Sequence, residues 1–234
     1  MLYRAVFLGT VTYAAKVWGE NLRVRDKRKL LSSQRAVLLS VTRCFRSASG
    51  EALCIIAGVP PIDLIVWERV QVWGTERGDS LRKETKDKVI DQWERRWATS
   101  INGRHTRSIW PTVKDRLHMK GIRVNYHLSQ VWSGHGRFRA NLQRLGLADG
   151  DACLECGAAG DDVDHAVWNC SSISAAKSSF QATLSQNNRD RPWRELLYDE
   201  ETRDAIQTYL EDIIRRRETT GLYAQDHAAL HEEH

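Results

Sequence analysis

Nowhere in the 234 residues is there an apolar run long enough to span a bilayer, and there is neither an internal repeat nor a low-complexity linker. No membrane partner is expected. The amino-terminal MLYRAVFLGTVTYAAKVWG is too short and too broken by Thr10, Thr12 and Tyr13 for a secretory leader, so an amphipathic or buried helix is the expectation there. Cysteine is scarce, with five residues and an odd count. Three fall between 153 and 170, which leaves Cys44 and Cys54 as expected buried thiols. A disulfide framework is therefore not expected, and a reducing location is: nucleus and cytoplasm. Between Leu145 and Cys170 there is also no lysine or arginine.

What is present is a basic chain with an uneven charge. The formal net charge is +5, and the pI is near 9.0. Residues 81–144 carry 15 basic against 5 acidic residues, a net +10, while 145–170 carry none against 6. Such a segment suits a polyanion partner, or it is a solvated helix face.

Apolar spacing reads as helix nearly throughout, so the expected class is mainly α. In KLLSSQRAVLLSVTRCF, residues 29–45, Leu30, Leu31, Gln34, Val37, Leu38 and Val41 fall near one stripe. Ser49 is placed to cap a short helix that Gly58 stops, with Pro60 and Pro61 beyond. A second helix follows to Gly74. A long charged helix then sets Val89, Trp93 and Trp97 on one face. Two helical pieces flank the Gly134–Gly136 turn, and two more follow Cys170. Most of the nine tryptophans, at helical spacing, are expected to be packing groups.

The stretch DACLECGAAGDDVDHAVWNC, residues 151–170, holds Cys153, Cys156, His165 and Cys170 in the spacing C-x2-C-x8-H-x4-C. Three sulfurs and one imidazole complete a tetrahedron, which suits structural Zn2+ with no open position for a reacting water. Gly157 supplies the permissive backbone a tight knuckle needs. Around the ligands stand Asp149, Asp151, Glu155, Asp161, Asp162 and Asp164, and three thiolates with one Zn2+ add a net −1. Phosphate is repelled by that surface. The knuckle is expected to be scaffolding, with nucleic-acid binding upstream. His227 and His231, spaced H-x3-H in a polar tail, are expected to be frayed rather than metal-bound.

Upstream, Arg95, Arg96, Arg104, Arg107, Lys114, Arg116, Lys120, Arg123, Arg137 and Arg139 interleave with aromatics. Cations neutralise phosphates and aromatic faces stack bases, so these ten are the candidate contacts for RNA or DNA. The combination WERRW…HLSQVWSGHGRFRANLQRLGL followed by CLEC…H…C resembles the C-terminal region of non-LTR (LINE-type) retrotransposon polyproteins. Within that family it is similar to the type-1 ribosomal-DNA element of arthropods. TYAAKVWGENL and SSQRAVLLSVTRCFRSASGEALCIIAGVPPIDL are similar to the family's segment after the reverse-transcriptase palm. The resemblance covers roughly residues 1–170, with several motifs in family order.

The resemblance implies a parent with an apurinic-type endonuclease and an RNA-directed DNA polymerase, of which this chain is a fragment starting near the thumb. Its layout would be the end of the thumb and connector over 1–60 and a basic helical nucleic-acid-binding region over 61–145. A CCHC knuckle over 146–175 and a helical tail over 176–234 would follow. Mg2+ is expected only for the catalytic domains, because no paired aspartates stand in a polymerase context here. The upstream polymerase domain becomes an expected partner, and His135 in SGHGRF a further phosphate contact or a turn-stabilising residue. Two alternatives stand beside this. One is a zinc-stabilised protein-interaction module. The other is the restriction-like endonuclease that another branch of these elements places after the knuckle, although its Pro-Asp motif and following lysine are missing. DRPWRELLYDEE reads instead as a solvated helix start.

Overall fold

The computed structural model describes residues 3–73, 78–220 and 222–223, and among these there is no strand. The chain forms two compact units, Met1–His118 and Met119–His234. Residues 81–144 fall partly in each.

In the first unit the amino-terminal residues form broken turns rather than one helix. A π-helical turn Tyr3–Leu8 runs into α1 (Gly9–Thr12) and α2 (Ala15–Trp18), with left-handed Ala14 between them. Phe7, Leu8, Val11 and Trp18 pack around buried Ala15, Ile62, Ile65 and Val66. Then come α3 (Val24–Thr42), α4 (Gly50–Ala57), α5 (Ile62–Val72), α6 (Gly78–Thr99), α7 (Arg104–Ile109) and α8 (Val113–His118). Helix α3 buries Gln34, Leu38 and Thr42 at four-residue spacing against α4 and α5, while Val41 stays 44 % exposed.

A polar residue sits in that stripe because its amide is fully used. Gln34 donates to Tyr3 Oη at 2.7 Å and Pro60 O at 2.9 Å, and accepts from Ile62 N at 2.8 Å. Ser49 caps α4, its hydroxyl accepting from Ala52 N at 3.2 Å, and left-handed Gly58 ends that helix. Val89, Trp93 and Trp97 are the buried edge of α6, and Trp97 Nε1 donates to Trp110 O at 3.0 Å. Gly74, expected to close α5, lies outside the described residues; the helix ends at Val72. Cys54 is buried as expected, whereas Cys44 is half-buried, and all five cysteines are free thiols.

The second unit contains α9 (Tyr126–Ser133), α10 (Arg139–Arg144), α11 (Ser174–Thr183), α12 (Trp193–Tyr198) and α13 (Arg203–Thr219). Asn125 caps α9, accepting from Leu128 N at 2.9 Å. Helix α13 is the organising element. Its apolar edge, Ile206, Leu210, Ile213 and Ile214, is buried, and it packs on α9, on α12 and on a π-helical turn His165–Asn169. The DRPWRELLYDEE stretch is not a solvated start. Trp193, Leu196 and Leu197 are buried in α12, and the charges cover its other side. Trp193 and Trp132 pack with ring centroids 6.4 Å apart. Among the described residues no single helix is long and apolar enough to cross a membrane.

Candidate metal centre and basic surface

Two short segments of the second unit bring the ligands together. The turn at Cys153–Gly157 is closed by Gly157 N donating to Cys153 O, and Cys153 N donates to Ala158 O, both at 2.8 Å. Gly157 has φ +77°, so a side chain there is strained although nothing crowds it. The π-helical turn supplies His165 at its start, and Cys170 follows directly, its N–H donating to His165 O at 2.8 Å. Cys153 Sγ and Cys170 Sγ lie 3.8 Å apart, and Cys156 Sγ lies 3.3 Å from His165 Nε2.

All four ligand atoms fall within 4.8 Å of one another. A tetrahedral zinc with bonds of about 2.3 Å to sulfur and about 2.0 Å to nitrogen has edges of roughly 3.5–3.8 Å, so the donor set fits such an ion. The Cys3His cluster could bind a metal such as zinc. Among the described residues it is the one group of three or more Cys, His, Asp or Glu arranged to hold a metal ion. His227 and His231 lie outside the described residues.

The surroundings tie the cluster to α13. Tyr223 Oη is 3.8 Å from Cys153 Sγ, and Ser172 Oγ is 3.0 Å from Cys170 Sγ. Ser172 also donates to Glu155, whose carboxylate lies 3.5 Å from Arg216 Nη2. Asp161 is fully buried, accepting from Arg217 Nη2 at 2.7 Å and from Arg139 N at 3.0 Å. The Arg217 guanidinium lies over the Tyr223 ring, 4.4 Å from its centre. Burial opposes the Arg217 charge, but Asp161, Tyr223 and Cys153 outweigh it and hold the group above its ordinary value. Burial pushes the Cys170 thiol up to about 11. The Cys156 thiol is lowered instead, first by its backbone hydrogen bond at Ala158. Hydrogen bonding thus favours the Cys156 thiolate, while burial disfavours that of Cys170.

The acidic knuckle residues have separate work. Asp164 takes a bidentate pair from Arg194 at 2.6 and 2.8 Å and a hydrogen bond from Trp193 Nε1. The tail acids also meet arginines: Asp199 pairs with Arg191, Asp204 and Glu211 with Arg123, and Asp212 with Arg215.

The nominated cations divide into two groups. Arg95, Arg104, Lys114 and Lys120 are exposed. Arg96 pairs bidentately with buried Asp63 at 2.7 and 2.8 Å yet keeps 41 % of its side chain exposed. Arg107 stacks over Trp97 and donates to Ser100 O at 2.6 Å. Arg116 is 9 % exposed, lies over Trp110 and donates to Ile56 O at 2.9 Å, which caps the carboxyl end of α4. Burial lowers its guanidinium to about 10. Arg123 N donates to Gln207 Oε1, and its guanidinium to Thr208 and Asp204 O. Arg137 is buried 3.9 Å from Glu218 and donates to Tyr126 Oη at 3.3 Å, and Arg139 is half-buried. His135 is half-buried in the turn after α9, its N–H donating to Ser133 Oγ at 3.1 Å. Arg116 and Arg137 thus serve the fold itself. Composition alone did not show that, because their partners lie far along the chain.

Charge follows the division into units. Residues of the first unit hold 22 Lys/Arg against 12 Asp/Glu, a net +10, and those of the second 13 against 18, a net −5.

Several curated proteins are similar to this chain. A retrovirus-related Pol polyprotein from type-1 retrotransposable element R1 4 of Nasonia vitripennis is 32 % identical over 187 residues, covering 72 % of this chain and 47 % of its own length. The corresponding R1 polyprotein of Bradysia coprophila is 26 % identical over 73 % of this chain and 19 % of its own length. The 115 kDa protein in type-1 retrotransposable element R1DM of Drosophila melanogaster is 25 % identical over 92 % of this chain and 23 % of its own length, so the similarity extends into the tail. The chain spans less than half the length of each of these three relatives. No family model matches, and no solved structure matches.

Proposed function

This chain belongs to the R1-like polyproteins of non-LTR retrotransposable elements, and from that premise we propose that it is a nucleic-acid-holding, zinc-organised region of such a polyprotein, working in nucleus and cytoplasm. The observation that carries this reading is the charge division. A net +10 unit with exposed cations suits the phosphate backbone of element RNA or target DNA. The acidic second unit is the scaffold. Its four ligands, Cys153, Cys156, His165 and Cys170, take a structural Zn2+ that fixes the knuckle against α13. In this reading residues 1–60 are the end of a polymerase thumb and its connector, and the polymerase chemistry belongs to another part of the polyprotein.

A salt titration tests the proposal. Binding of RNA and of duplex DNA to the 234-residue chain should weaken linearly on a double-logarithmic plot against salt, with a slope that counts the phosphates neutralised. A folded chain that binds neither polymer at low salt would overturn it. A second reading has one observation in its favour. The net −5 of the second unit, with its zinc-compatible cluster, suits a docking surface for a basic protein segment. Binding of a basic polypeptide by a chain that ignores nucleic acid would favour that alternative. The restriction-like nuclease has less to stand on. Asp199, Asp204, Glu211 and Asp212 engage arginines, and no tail acid joins a metal-holding group among the described residues.

A further inference from the structure

Five cations crowd the amino end of α3: Arg23, Arg25, Lys27, Arg28 and Lys29. All five are exposed, and none makes an ion pair among the described residues; Asp26 is the one acidic residue in the run. Arg23 is the residue before the helix, and its side chain caps nothing. This is the wrong end for positive charge. The first turn of a helix carries about half a unit of positive charge, so the cations that fall in it weaken the helix rather than support it. Helix stability therefore does not explain the run. An exposed run of cations without ion pairs suits a polyanion.

The run also borders α6. Lys27 and Arg96 line one hollow of about 140 Å3, together with Gly19, Glu20, Asp63 and Gln92. The two acids of that hollow are already engaged, Glu20 with Lys16 and Asp63 with Arg96. Lys88, Gln92 and Arg96 follow at four-residue spacing along α6, so they share one flank of that helix. Lys88 is exposed, paired with Glu84 at the surface.

We propose that the amino-terminal turns of α3, with the adjoining hollow that Lys27 lines, form a binding surface for the phosphate backbone of a nucleic acid. The inference rests on the nucleic-acid reading above and moves its centre to residues 23–29, outside the segment that composition singled out. Charge density favours a polynucleotide over an acidic peptide. Seven residues of helix rise about 9 Å, so five cations and Asp26 leave a net +4, or one charge per roughly 2.3 Å of axis, distributed around the helix. A DNA duplex presents one phosphate charge per roughly 1.7 Å of axis. No base-reading is implied, since flexible lysine and arginine side chains on phosphate carry no sequence information by themselves.

The test uses the whole chain and labelled RNA, titrated with salt. The variant Arg25→Gln/Lys27→Gln/Arg28→Gln/Lys29→Gln removes four exposed cations. It is compared with Arg95→Gln/Arg104→Gln/Lys114→Gln, which removes three exposed cations of the nominated segment. If each of the four sites neutralises one phosphate, the salt slope on single strands should flatten by about 3, with an affinity loss on the order of a hundredfold at low salt. Removing cations from a helix start should leave thermal stability equal or higher, so unfolding cannot counterfeit the loss.

Lysine acetylation of the unaltered chain gives an independent reading. Bound RNA should protect Lys27 and Lys29 while Lys120 stays reactive. If the 95/104/114 variant carries the whole effect and the α3 variant none, the nucleic-acid reading stands and this surface falls. If the unaltered chain binds no RNA, both fall. Protection of Lys27 and Lys29 by anionic phosphatidylserine vesicles or by self-association, without protection by RNA, would also overturn the proposal.

Discussion

Arg217 and Asp161 form an ion pair of 2.7 Å with both side chains almost completely buried, 4 % and 0 % exposed. It fastens the last helix, α13, to the loop that carries the cysteines, and Arg139 N on the same carboxylate adds the start of α10. Metal cluster and helical packing of the second unit are one connected structure through this pair. Removing one partner leaves a buried charge alone, so Arg217→Met should cost about 3–5 kcal/mol in urea unfolding. The double variant Asp161→Asn/Arg217→Met should cost much less than the sum of the single changes. Additive costs would mean that the pair is not coupled.

The hydrogen-bonding shell around the thiols should tune the metal. Ser172 and Tyr223 approach Cys170 and Cys153 from outside the donor set. Ser172→Ala and Tyr223→Phe are each expected to lower zinc affinity by about 10–100-fold, read by competition with a chelating dye, without changing a stoichiometry of one ion per chain. Unchanged affinity in both variants would show that the shell has no hold on the ion.

Alkaline pH should loosen the fold through tyrosine. Burial, the largest cause, raises Tyr3 to about 12 and moves Tyr209 and Tyr223 upward as well, from an ordinary 10.0. A group raised in the folded state keeps its proton there while the unfolded chain loses it. Stability is therefore complete below pH 10 and falls as pH rises from about 10 toward 12. Ultraviolet titration should show these phenols ionising late, together with loss of helical circular dichroism. Early, fully reversible ionisation of all six tyrosines near pH 10 would contradict this.

Gly136 is a close-approach position. A Cβ built there would overlap the Gln130 amide oxygen and come within 2.9 Å of its Cβ and Cγ. Gln130 also donates to Glu218 at 3.0 Å and accepts from Arg137 N at 3.3 Å. Gly136→Ala should push that side chain away and destabilise the second unit by about 1–3 kcal/mol, measured by denaturant unfolding.

Local signals were legible in the sequence. Ser49 and Gly58 bound α4, and the Val89, Trp93 and Trp97 edge of α6 is buried, because caps and helical periodicity act over a few residues. The cysteine–histidine cluster was legible for the same reason, since its ligands lie within 18 residues and their spacing carries geometry. Long-range pairing was not legible. Arg116 finds Ile56 O 60 residues away, and the Arg123 guanidinium finds Thr208 at a separation of 85, so local composition counted both as free cations. The same composition hid Trp193, Leu196 and Leu197 among charges in what read as a solvated stretch. The Arg23–Lys29 run escaped notice because it shares a segment with diluting acids, and only burial and pairing single it out.

The most direct measurement is the salt dependence of RNA binding by the whole chain, with zinc and again after chelation. If the cations of the first unit hold the strand, the plot should be steep with zinc. Chelation should then melt the packing of α13 while leaving most of that slope in place. A flat plot, or no binding at low salt by a folded, zinc-loaded chain, would contradict the nucleic-acid role outright.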